Sequence, residues 1–117
     1  MTPEMDTITR RKSAKAPPMD EARGWIGWRV DDRNGITIGQ VEEVIPGEAD
    51  RAAWLVLGEF CLDGRRFAVP AADAVGGAGR VWSPHLRKQV RDSGSLADGT
   101  FTPQAEEHLR VYYGRAA

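Results

Sequence analysis

From residue 26 onward, apolar and polar positions alternate in short runs separated by glycine-containing turns. Ile26, Trp28 and Val30 alternate with Gly27 and Arg29, the period of two expected of a half-buried strand. Asp31-Asp32-Arg33-Asn34-Gly35 follows, and Asn and Gly accept positive φ at little cost, so a hairpin turn is expected there. Ile36, Ile38, Val41, Val44 and Ile45 make the second strand, and the alternation breaks near Gly39, where a bulge or bend is expected. Pro46-Gly47-Glu48-Ala49-Asp50 ends it. Ala53-Trp54-Leu55-Val56-Leu57 is apolar without alternation, which predicts a strand covered on both faces. Phe60-Cys61-Leu62 and Arg66-Phe67-Ala68-Val69 flank Asp63-Gly64 as a second hairpin, and Pro70, with no donor, ends that ladder. Residues 71–75 suggest a short helical turn, Gly76-Gly77-Ala78-Gly79 a turn, and Val81-Trp82 the last strand.

The period then changes. Ser83 and Pro84 suit the start of a short helix that carries Leu86 and Val90 on one face and stops at Ser93-Gly94. Thr102 and Pro103 open a second helix, with Glu106 and Glu107 near the positive end of its dipole. In this helix Ala105, Leu109, Tyr112 and Tyr113 form an apolar stripe that must pack on something, and Gly114 is the expected stop. The expected fold is therefore mainly β with two short C-terminal α-helices after the last strand.

Composition narrows the picture to one domain. The chain has 117 residues, 41% hydrophobic and 28% charged, enough for a single core but not for two. Residues 1–21 hold Arg10, Arg11, Lys12 and Lys15 beside Pro17-Pro18 and almost no aliphatic side chains, so a flexible N-terminal arm is expected, with the domain spanning 22–117. Thr9-Arg10-Arg11 lacks the apolar stretch that an export signal needs after its arginines. No run approaches the roughly 18 to 20 apolar residues that span a bilayer. With one cysteine, Cys61, no intrachain disulfide can form, and a cytoplasmic location without membrane insertion is the expectation. A net charge of −1 argues against whole-domain attraction to nucleic acid.

Candidate chemistry is sparse. His85 and His108 have no partner at ligand spacing, and no metal or other cofactor is expected. Gly76-Gly77-Ala78-Gly79 lacks the Gly-Lys-Ser/Thr of a phosphate loop, and aligning Asn34-Gly35 to a calcium loop places Val30 where its first aspartate belongs. Cys61 has no nearby histidine in sequence and suits a buried inert thiol. Glu42-Glu43 and Glu106-Glu107 are sequence neighbours, which regular geometry sends to different directions, so neither makes a cooperating pair. No catalytic residue emerges. The four tryptophans are better candidates: Trp54 for the core, and Trp25, half exposed before the first strand, for a partner. Tyr112 and Tyr113 join it as partner-binding candidates, and Arg65-Arg66 beside Phe67 forms a basic-aromatic edge able to meet RNA.

Gly27-Trp28-Arg29-Val30, Asn34-Gly35, Ile38-Gly39-Gln40-Val41, the apolar run 54–57 and Phe67-Ala68-Val69-Pro70 together resemble the PRC-barrel family. Leu96-Ala97-Asp98-Gly99 and Tyr112-Tyr113-Gly114 are similar to the tail of small bacterial members linked to stress responses. The resemblance covers about residues 24–114 and implies a small antiparallel β-barrel used as a non-enzymatic adaptor. The fold occurs in the photosynthetic reaction centre H subunit and in a ribosome maturation factor, but the chain shows neither the membrane helix of the first nor the separate N-terminal domain of the second. Two functions follow as expectations. The first is docking of a protein partner, or self-association as a homodimer, through a barrel edge or the helix stripe. The alternative is an RNA- or ribosome-associated factor using the basic arm and Arg65-Arg66.

Overall fold

The computed structural model describes residues 16–58 and 64–116, with side chains through residue 114. The basic cluster of the arm and the 60–62 run with Cys61 lie outside the described residues.

Among the described residues, six strands form one sheet: β1 (Arg29–Asp31), β2 (Thr37–Pro46), β3 (Ala52–Gly58), β4 (Arg66–Pro70), β5 (Val75–Gly77) and β6 (Arg80–Trp82). A short helix, α1 (Met19–Arg23), precedes them; α2 (Arg87–Asp92), a 3-10 turn (Ala97–Gly99) and α3 (Pro103–Ala116) follow. The strand order is β4-β3-β2-β1-β6-β5. Successive hairpins make β1–β2, β2–β3, β3–β4 and β5–β6 antiparallel. The β1–β6 pair is parallel, with Val30 opposite Val81, because the chain crosses back from the β4 edge before it enters β5. The sheet is thus mixed, not wholly antiparallel as expected, and it is not closed: β4 and β5 are its edges.

β2 carries two bulges. Val30 faces Gly39 while Asp31 faces Thr37, so Ile38 is the extra residue beside the glycine where the alternation broke. The second leaves Glu42 unpaired between Val41 and Glu43. Its consequence corrects the expectation for Glu42-Glu43, since both carboxylates reach Arg66, at 2.8 and 4.0 Å.

β3 is covered on both faces. Leu55 and Leu57 enter a core with Trp25, Val30, Val41 and Val69, whereas Trp54 and Val56 enter a second core with Ala68, Leu96, Leu109 and Tyr113. The stripe of α3 is what covers that second face. Thr102 Oγ1 accepts the Ala105 N–H at 3.0 Å, capping α3 as expected, but the helix continues past Gly114 to Ala116.

Four local expectations change. Residues 25–27 form turns that prolong α1, with Trp25 N–H donating to Ala22 O and Ile26 N–H to Arg23 O, so Ile26 is exposed and the strand begins only at Arg29. Residues 16–21, assigned to the arm by composition, are tied to the body: Ala52 N–H donates to Pro17 O, Met19 N–H to Asp50 O, and Arg51 Nη1 to Ala16 O. Met19 and Ala22 supply the apolar surface that offsets their ordering entropy. Residues 71–74 make a tight turn with Asp73 at φ 67, not a helical one, and Val75 opens β5, which Gly76 and Gly77 extend up to an Ala78-Gly79 turn with both φ positive.

Candidate functional site

The predicted partner-binding residues do not converge on one exposed site. Trp25, expected to be half exposed, is 2% exposed. Its indole lies over Gly76 of β5, where any Cβ would collide with the ring. Tyr113 is buried and donates its hydroxyl to Ala68 O at 3.2 Å; burial raises its pKa. Tyr112 is half-buried and donates to Gln89 O at 2.6 Å, and desolvation raises its pKa too. Both rings meet edge to face, 5.0 Å apart. Their role is to fasten α3.

Arg66 is equally engaged. Its Nε donates to Glu42 Oε1 at 2.8 Å and its Nη1 to Gly99 O at 2.9 Å, joining β4 to β2 and to the 3-10 turn. Such charge-assisted bonds hold a guanidinium in place rather than present it to RNA. Arg65 is exposed beside the loop that lies outside the described residues.

A different surface appears at the β5 edge. Val75 and Trp82 face each other across the β5–β6 ladder, and they are 60% and 40% exposed. Arg80, two residues before Trp82 and so on the same face, places its guanidinium 5.8 Å from that ring. Asp31 of β1 holds the base of this face: Arg80 Nε lies 3.4 Å from Oδ2, Arg29 Nε 3.3 Å from Oδ1, and Thr37 Oγ1 donates to Oδ1 at 2.9 Å. The carboxylate is buried, while both arginines remain half exposed. Sequence offered one signal for this surface, the Arg80-Val81-Trp82 alternation. Pairing with Val75 depends on the hairpin register.

The two sheet edges differ. At β4, Leu96 N–H donates to Arg66 O at 2.8 Å and the Tyr113 hydroxyl reaches Ala68 O. Among the described residues, no backbone hydrogen bond from outside the sheet reaches Val75–Gly77. β5 also has no lysine or proline, the residues that commonly guard an exposed edge.

Asp32 and His85 each line a surface cleft. Asp32 accepts three backbone N–H bonds, from Asn34, Ile36 and Arg87. Desolvation raises its pKa, but these bonds outweigh that and hold it below 3.8. Desolvation lowers the pKa of His85, against a side-chain bond to Gln89 and the nearby Asp73 carboxylate. Among the described residues, no three His, Cys, Asp or Glu side chains group as metal ligands. No described helix is long and apolar enough to cross a membrane. Comparison with protein-family models and with curated proteins finds no match for this chain.

Proposed function

We propose that this chain is a non-enzymatic protein-interaction module built on a PRC-like scaffold, and that its partner is an extended, acidic protein segment added to the free edge of β5. The carrying observation is the contrast between its two apolar surfaces. Leu109 and Tyr113 of the α3 stripe are consumed by the second core, whereas Val75 and Trp82 stay exposed at an edge that, among the described residues, receives no backbone hydrogen bond from outside the sheet. An edge strand supplies main-chain pairing, and alternate side chains of the added strand would meet Trp82 and Val75. Two guanidiniums around one buried carboxylate favour acidic residues on that segment.

The full chain, affinity-purified from native lysate with and without nuclease, tests this beside a Val75→Lys/Trp82→Glu variant whose circular dichroism is first shown to be unchanged. A partner captured by the wild type despite nuclease, lost by the variant and cross-linked to residues 75–82 through an acidic extended segment supports the proposal. Capture that disappears with nuclease supports the RNA alternative instead. Capture indifferent to the variant, or a homodimer by light scattering that the variant disrupts, overturns the assigned partner.

A further inference from the structure

β5 contains two consecutive glycines, and packing within the chain accounts for only one of them. Gly76 faces the first core, where the Trp25 indole occupies the place of a Cβ. Gly77 faces the opposite way, and among the described residues nothing stands within 4 Å of where its Cβ would be. Nor does its backbone require glycine, since positive φ begins only at Ala78 and Gly79 of the turn that follows. A glycine inside a strand weakens it through backbone entropy and the missing side chain, and such a residue often marks a place where a ligand or another chain approaches closely.

The hairpin register defines what surrounds that bare position. Gly77 lies opposite Arg80 and Val75 opposite Trp82, so these four residues share the outer face of the β5–β6 ladder. Val75 and Trp82 are exposed, and Arg80, with its side chain 43% exposed, holds its guanidinium beside the Trp82 ring. The patch is therefore two accessible apolar side chains and a cation around a gap one side chain wide, at the free edge of the sheet.

A strand added to β5 runs about 4.8 Å from it and sets one residue directly opposite Gly77 on this same face. An aromatic ring at that residue can lie across the glycine backbone toward Arg80, the pairing by which aromatic residues rescue edge glycines, and the guanidinium attracts the ring face. The residue two positions away on the added strand comes opposite Val75, where an aliphatic side chain makes an apolar cross-strand pair. We infer that the segment docked on β5 carries an aromatic residue opposite Gly77 and an aliphatic residue two positions from it, opposite Val75. This specificity rests on the docking of an extended acidic segment proposed above and names the side chains that the edge selects.

Random peptides of about 12 residues, long enough for a strand and its flanks, are displayed on phage and selected on the full chain and on its Val75→Lys/Trp82→Glu variant. The expected peptides are retained by the wild type, lost by the variant, and share an aromatic residue two positions from an aliphatic one. In their synthetic forms, aromatic-to-alanine replacement should weaken binding to the wild type about three- to tenfold. On Gly77→Val, which fills the gap with a residue suited to strands, the same replacement should matter by less than about twofold. Circular dichroism checks that this variant is folded, with Gly77→Ala as the smaller substitution if it is not. Bound peptide should also move the Gly77 α-protons upfield, the ring-current signature of an aromatic face above them. Selected peptides without that aromatic residue, an alanine replacement that costs nothing or costs the same on the filled variant, or unmoved Gly77 α-protons overturn the inference and leave docking at the edge standing. Peptides selected equally by the Val75→Lys/Trp82→Glu variant, or no selected peptide at all, overturn the docking proposal and the inference with it.

Discussion

Asp32 organises the β1–β2 turn and the start of α2 with one side chain. Its Oδ1 accepts the N–H groups of Asn34 at 2.8 Å and Ile36 at 2.9 Å, and its Oδ2 accepts the N–H of Arg87, the first residue of α2, at 2.9 Å. Ser83, the expected cap, instead accepts the His85 N–H at 3.2 Å, one turn too early to start the helix. A carboxylate suits three donors because it has acceptor sites only. In Asp32→Asn, the amide nitrogen would meet at least one N–H, leaving a donor without a partner at a site 1% exposed. The expected cost is about 1 to 3 kcal/mol, measured by urea unfolding at pH 7. Because the folded pKa lies below 3.8, the wild-type advantage is complete above that value and declines as pH falls through the folded pKa. The two proteins should therefore converge in strongly acidic solution. A gap that is constant between pH 7 and pH 2 would assign the cost to shape rather than charge.

At the scale of elements, β5 shows how a misleading glycine run serves packing. Gly76-Gly77 is in extended strand, and the Trp25 indole rests where a Cβ on Gly76 would be, so β5 can close over the first core only without a side chain there. Gly76→Ala should lose about 1 to 3 kcal/mol by forcing the indole or the strand to move. Gly77→Ala meets open space and should change stability by under about 1 kcal/mol, with thermal unfolding separating the two. The long strands β2 and β3, the turn between β1 and β2 and the α3 stripe were legible in the sequence, because each rests on periodicity or turn chemistry within a few residues. The parallel pairing of β1 with β6 was not, since Val30 and Val81 carry no local mark of their partnership. The same reason explains the candidate sites. Tyr112, Tyr113 and Arg66 look available until the fold brings Gln89 O, Ala68 O, Glu42 and Gly99 O to them. Conversely, Trp82 is recognisable as a surface residue only once its strand is placed near an edge.

At the scale of the whole molecule, stability depends on keeping α3 against the second face of the sheet. Leu109 and Tyr113 fill that core, Trp54 Nε1 donates to Glu106, and the Tyr112 hydroxyl ties α3 to the backbone of α2. His85 stands at this seam, against the ring of Tyr113 and bonded to Gln89, with Asp73 and Arg33 near enough to affect its charge. Burial disfavours the imidazolium more than Asp73 and Gln89 favour it, so the folded pKa falls below the ordinary 6.5. The unfolded chain then takes up the proton first. His85 thus contributes no penalty above pH 6.5, and stability declines as pH falls from 6.5 to the folded pKa, after which its effect is constant. Urea midpoints of the wild type between pH 7.5 and 5 should show this decline, and those of His85→Gln should lack the part due to this side chain. If both proteins lose stability in parallel across that window, the proton is taken up elsewhere and the α2–α3 seam is not the pH-sensitive element.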